Sequence, residues 1–92
     1  MTYEIANNPA ENRFETRVEG SLCVLDYRLR GNVLQIDHVG VPVPVEGRGI
    51  AAALTRAAMD WARAQGMKVA PICTYAAAWV ARHPDYTDLR VS

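Results

Sequence analysis

The chain has 92 residues, half of them hydrophobic, and ten basic residues balance ten acidic ones to a net charge of zero at pH 7. That length gives one domain over residues 1–92 with a small core, and the apolar content argues against disorder. Zero net charge removes the electrostatic footprint of a nucleic-acid binder. The longest apolar run, Ile50 to Leu54, is far too short to span a bilayer. The N-terminus carries no basic-then-apolar leader, so a cytoplasmic protein is expected.

Tyr3 to Ala6 reads as a first strand, ended by the turn cluster Asn7-Asn8-Pro9. Arg13 to Val18 alternates charged with less polar residues, the pattern of a half-exposed strand. Glu19-Gly20 turns the chain. Leu22 to Leu29 forms the next strand, with Leu25, Tyr27 and Leu29 on one face. Gly31-Asn32 is a hairpin turn that calls for positive φ. Val33 to Val41 follows, and the two-residue period places Leu34, Ile36, His38 and Gly40 together.

Pro42 and Pro44 stop this strand, because neither has an N–H to donate. A helix is expected from about Arg48 to Gln65, with Ile50, Leu54, Ala57, Ala58 and Trp61 as its buried stripe. Arg56 and Asp60 lie four apart on its outer side, and Gly66 stops it. Lys68 to Ile72 reads as a short strand. Thr74 is positioned to cap a second helix, from Tyr75 to about Arg82, which His83-Pro84 ends. Residues 85–92 show no strong pattern. This order predicts an α+β fold, a mostly antiparallel strand meander with helices packed on the sheet.

Gly47-Arg48-Gly49 opens directly into the first helix, with no Ser, Thr, Asp or Asn before it to occupy the free N–H groups. Such an end, at the positive pole of the helix dipole, suits a phosphate. Two alternatives fail on sequence. No Lys-Ser or Lys-Thr follows Gly49, so this is not a Walker loop. A meander rather than a βαβ unit precedes it, so it is not a dinucleotide fingerprint. The bland alternative is a tight turn capped by Glu46.

Cys73 falls between a strand and a helix start, where the dipole favours thiolate and makes it a candidate nucleophile. The alternative is a small residue filling the corner. His38 has a side chain suited to proton transfer near neutral pH, and equally to a hydrogen-bonded core position. Cys23, Trp61 and Trp79 read as core. His83 reads as an exposed helix-end residue. No zinc spacing is present, so no metal is expected.

Val41-Pro42 followed by Gly47-Arg48-Gly49-Ile50-Ala51 resembles the acetyl-CoA signature of the GNAT superfamily of N-acetyltransferases. Pro71-Ile72-Cys73-Thr74-Tyr75 and Arg82-His83-Pro84-Asp85-Tyr86 resemble a subfamily of shortened GNAT-like proteins. The likeness covers about residues 34–89. It implies a GNAT-like fold that binds acetyl-CoA and transfers acetyl to an amine of unknown identity. The alternative it leaves is a coenzyme A-binding sensor or adaptor.

The resemblance assigns cofactor binding to Val41, Gly47, Arg48, Gly49, Ile50 and Ala51. It assigns catalysis to Cys73 and His38, by direct transfer or through an acetylated Cys73. Tyr75 is a fallback acid, and Tyr86 an anchor for the tail. The expected assembly is a monomer or weak homodimer without nucleic-acid or membrane partners. Two departures stand out. Glu46 occupies a motif position usually held by Arg or Gln, and Trp79 occupies the slot nearest the superfamily's catalytic tyrosine.

Overall fold

The computed structural model describes residues 2–91. Five strands form one sheet in chain order: β1 (Ala6–Asn8), β2 (Arg13–Val18), β3 (Ser21–Arg30), β4 (Val33–Gly40) and β5 (Lys68–Pro71). Helix α1 (Ile50–Ala64) connects β4 to β5, and α2 (Thr74–Ala81) follows β5. The first four strands pair antiparallel, while β4 and β5 pair in parallel across the α1 crossover. The α+β meander with packed helices is therefore as the sequence predicts.

Alternation along the strands decides which face is covered. Phe14, Thr16 and Val18 of β2 lie opposite Leu25, Cys23 and Ser21 of β3, and all but Ser21 are buried. The intervening Arg13, Glu15 and Arg17 remain partly or fully exposed. The covered face meets α1 through Ile50, Leu54, Ala58, Met59 and Ala62, with Trp61 at the flank against Phe14 and Tyr27. Thr55, buried in the same helix, donates its hydroxyl to the Ala51 carbonyl and leaves no unmet polar atom.

Several boundaries differ from the sequence expectation, each for a local reason. The first strand is Ala6–Asn8 rather than Tyr3–Ala6. The turn starts later: Pro9–Glu11 makes a 3₁₀ turn and Asn12 takes a left-handed conformation, so Asn7 and Asn8 pair with Phe14 and Arg13. Helix α1 starts at Ile50 because Gly49, with φ of 75°, is not helical. In α2 the residue preceding the helix is Cys73, and Thr74 supplies no capping hydrogen bond.

A register shift between Asp26 and Tyr27 has the largest consequence. Tyr27 faces Ile36 and Asp26 faces His38, so Asp37 is an extra residue on β4. This β-bulge moves His38 off the Leu34/Ile36 face and onto the open face beside Asp26.

The tail is also more ordered than its sequence suggests. Pro84–Leu89 forms a 3₁₀ segment that buries Tyr86 and Leu89, and Arg90 bridges Val69 of β5. The hydroxyl of Tyr86 donates to Asp60 Oδ1 at 2.6 Å and accepts from Arg56 Nη1 at 3.1 Å. Arg56 and Asp60 thus meet through Tyr86, which anchors the tail. Arg63 adds hydrogen bonds to Asp88 and to the Asp85 carbonyl.

Burial and the hydrogen bond to Asp60 push the Tyr86 phenol up. A raised value stabilises the fold fully below the unfolded tyrosine value of about 10, and that contribution fades as pH rises through the folded value. Tyr86→Phe is expected to cost about 1 kcal/mol at neutral pH, lowering Tm by roughly 4–8 °C. Thermal melts should show the gap between the two proteins narrowing above about pH 10. An unchanged melting temperature at pH 7 would remove Tyr86 as the tail's anchor.

Candidate functional site

The parallel pairing of β4 with β5 is short. It runs from Val33 opposite Lys68 to Ile36 opposite Pro71 and then ends. At that point the Ile36 carbonyl accepts from the amides of both Ile72 and Cys73, each at 3.0 Å. Pro71 occupies the last rung, and in a parallel ladder the bonds run from the residues on either side of it rather than from its own nitrogen. The remainder of β4, residues 37–40, has β3 on one side and no strand on the other among the described residues. The two strands therefore fork.

The fork opens into a cleft of about 520 Å³. His38, Val39, Gly40 and Val41 form one wall, Glu46 and Gly49 to Ala52 another, and Tyr75 of α2 closes a third side. The loop between strand and helix is fixed by Val45, which is buried within the 3₁₀ turn Val43–Val45.

Gly47 and Gly49 both take positive φ, 80° and 75°. These angles are rare for residues with a Cβ, which accounts for glycine at both places. The first helical bond of α1 runs from the Ala53 amide to the Gly49 carbonyl at 3.0 Å. No side chain caps the helix, Glu46 included. The amides of Ile50, Ala51 and Ala52 therefore remain donors at the positive end of a 15-residue helix, on the wall of the cleft.

The structure brings Val41, Gly49, Ile50 and Ala51 to the cleft, together with His38. Gly47 and Arg48 are not among its lining residues. Arg48 instead turns toward the β2–β3 hairpin, where its guanidinium donates to both carboxylate oxygens of Glu19. The ion pair holds the Glu19 carboxyl below the usual carboxylate range. The Tyr3 hydroxyl donates to the Arg48 carbonyl at 2.6 Å and braces the same turn. Sequence reading singled out neither Glu19 nor Tyr3. The one available signal was a glutamate in a turn position that favours Asn or Gly.

His38 lies with Nδ1 3.3 Å from Asp26 Oδ2, and its side chain is 63% exposed. Its ring covers Gly40: a Cβ added there would sit 2.7 Å from His38 Cε1. Gly40 thus makes room for the imidazole. Cys73 is a free, half-buried thiol at the point of the fork, between the Ile36 carbonyl and the first turn of α2. It does not line the cleft, but Tyr75, two residues on, does. Burial pushes the Tyr75 phenol up, so it stays protonated at neutral pH.

The remaining candidates are structural. Cys23 is fully buried in β3, and burial pushes its thiol up. Trp79 is buried, stacked on His83 with ring centroids 3.8 Å apart. His83 Nδ1 donates to the Trp79 carbonyl at 2.6 Å and so holds a helix-end carbonyl. No cluster of three His, Cys, Asp or Glu side chains suited to a metal occurs among the described residues, and no helix there is long and apolar enough to cross a membrane.

The arrangement offers amide donors for an anion at one end, an unpaired strand edge along the middle, and proton-carrying groups near the fork. Comparison with known proteins fits this geometry. The solution NMR structure of a GCN5-like candidate N-acetyltransferase from Staphylococcus aureus superposes with a TM-score of 0.77 at 28% identity, covering 98% of this chain and 89% of that one. The model of the GCN5-related N-acetyltransferase family matches residues 13–89. The chain therefore belongs to the GCN5-related N-acetyltransferase family.

Proposed function

We propose that this protein binds acetyl-CoA in the β4–β5 fork and transfers its acetyl group to an amine. The observation that carries this reading is the uncapped start of α1 at the mouth of the cleft. Phosphate binding there needs only backbone amides and glycines that allow close approach. The amides of Ile50 to Ala52 would hold the pyrophosphate. The free edge of β4 offers backbone groups to the amide-bearing arm of the coenzyme.

When bound, acetyl-CoA supplies an activated acetyl thioester. The side chains near the fork then divide the proton work. His38 Nδ1 faces Asp26, which leaves Nε2 to take a proton from the acceptor amine. As the new N–C bond forms and the C–S bond breaks, the Tyr75 hydroxyl gives its proton to the departing sulfur. Raised by burial, Tyr75 is in its acid form at working pH. It takes the role that the buried Trp79 does not fill, since an indole N–H is far too weak an acid. Cys73 offers a second route, in which its thiolate accepts the acetyl group first.

A second reading is a coenzyme A-binding sensor or adaptor, favoured by the indole of Trp79 at the slot where the superfamily often carries its acid. Tight binding of acetyl-CoA without transfer across a broad amine panel would establish it.

Calorimetric titration with acetyl-CoA and with free coenzyme A tests the site itself. Binding in the micromolar range is expected for both. Gly49→Val forces a branched side chain to φ of 75° and should weaken binding at least about tenfold. Equal affinity in this variant would rule out the glycine turn as the phosphate site.

For the chemistry, His38→Ala is expected to lower kcat by about 10² or more, and Tyr75→Phe to lower it while the Kd for acetyl-CoA is kept. Turnover unchanged in either variant removes that residue from the mechanism. Mass spectrometry after rapid mixing with acetyl-CoA separates the two routes. Direct transfer leaves Cys73 unmodified, whereas the covalent route requires an adduct of 42 Da (about one acetyl group) that an amine then discharges.

A further inference from the structure

We propose that Glu19 holds Arg48 in reserve as a phosphate ligand, and thereby sets the affinity of the glycine turn for the diphosphate of acetyl-CoA. The inference rests on the acetyl-CoA reading above and concerns a residue outside the cleft.

Glu19 is in an unfavourable place for its type. It and Gly20 form the β2–β3 turn, with φ of 49° and 82°. Asn-Gly or Gly-Gly fits such a turn, and a glutamate there strains the backbone. Nothing within the hairpin uses the carboxylate. Its partner is Arg48, 29 residues away, and the guanidinium meets both carboxylate oxygens.

Arg48 is the one basic residue between Pro42 and Leu54. With Arg48 paired to Glu19, the carboxylate on the cleft wall is the exposed one of Glu46, which opposes an anionic ligand. The pair itself is weak, because its side chains are 34% and 67% exposed. A diphosphate offers the same fork-like recognition with more charge.

The main chain is secured separately. Tyr3 holds the Arg48 carbonyl, so the guanidinium can leave Glu19 without loosening the turn. Binding of the diphosphate then competes with Glu19 for Arg48, and the strength of the pair is subtracted from the affinity.

The test is a double-mutant cycle read by calorimetry. Acetyl-CoA is titrated into the wild type, Glu19→Gln, Arg48→Ala and the double variant. Glu19→Gln is expected to bind about two- to fivefold tighter, the range for breaking one exposed ion pair. The gain should vanish when Arg48→Ala is added. S-acetylpantetheine, which lacks the diphosphate, should bind wild type and Glu19→Gln alike.

Equal or weaker binding by Glu19→Gln overturns the proposal. A gain that persists in the Arg48→Ala background also overturns it, since that is mere removal of a negative charge. Failure of all four proteins to bind acetyl-CoA would overturn the acetyl-CoA reading together with this one. Normal wild-type binding with no coupling between positions 19 and 48 would overturn this one alone. Circular dichroism of each variant confirms that the comparison is between folded proteins.

Discussion

The site depends on one backbone oxygen. The Ile36 carbonyl accepts two amides, from Ile72 and Cys73, where β4 and β5 stop pairing. Had the ladder continued, the β4 edge beyond it would be occupied and the cleft closed. The stop comes where β5 gives way to α2, and Pro42 lies just beyond the end of the facing strand. Four residue pairs of parallel sheet hold the fork, and the α1 crossover presses on it from the covered face through Leu54, Ala58 and Met59. A small core is thus concentrated behind the hinge of the cleft, with the tail held against α1 by Tyr86.

The bulge at Asp37 is the second constraint. Without it, His38 would continue the alternation of Leu34 and Ile36 and point into the core. The extra residue returns His38 to the open face opposite Asp26, and the absence of a Cβ at Gly40 leaves space for the ring. Asp37 itself is not idle. Burial opposes its ionisation, but hydrogen bonds from Gln35 and Arg28 outweigh this and keep its carboxyl low. The bulged residue is thereby held as an anion on the open face, which favours the extended backbone that displaces His38.

How much of this could be read beforehand follows from the range of each interaction. The glycine turn was legible because its determinants are neighbours in the chain: two prolines, two glycines, and an apolar helix start without a capping residue. The strand order was legible from turn residues such as Gly31-Asn32. The bulge was not, since it is a mismatch between β3 and β4 and neither strand carries a local mark of it. The Glu19–Arg48 pair was not legible either, because it joins two turns through folding alone. His38 and Arg48, both named as candidates from sequence, are the residues whose placement moved most. Both had been placed by local pattern, and both are held by a carboxylate on the β2–β3 hairpin or its strands, Asp26 and Glu19.

That shared dependence gives the hairpin a particular standing. β2 and β3 contribute little to the cleft wall, yet carboxylates of the hairpin they form hold the His38 imidazole and the Arg48 guanidinium. A helix N-terminus supplies about half a positive charge, fixed in position by the backbone and insensitive to side-chain motion. Side-chain cations add more but must be ordered, and long side chains lose rotamer freedom when they are. On the proposed acetyl-CoA reading, the permanent part of anion binding would fall to the amides of Ile50 to Ala52, and the adjustable part to Arg48, tethered at the hairpin. The carboxylate of Glu46 at the mouth fits the same division. It adds repulsion toward an anion from an exposed position on the cleft wall, where water screens it. On that reading, the balance between holding and releasing a polyanionic ligand would lie with the side-chain charges of Arg48, Glu19 and Glu46, set against fixed backbone amides.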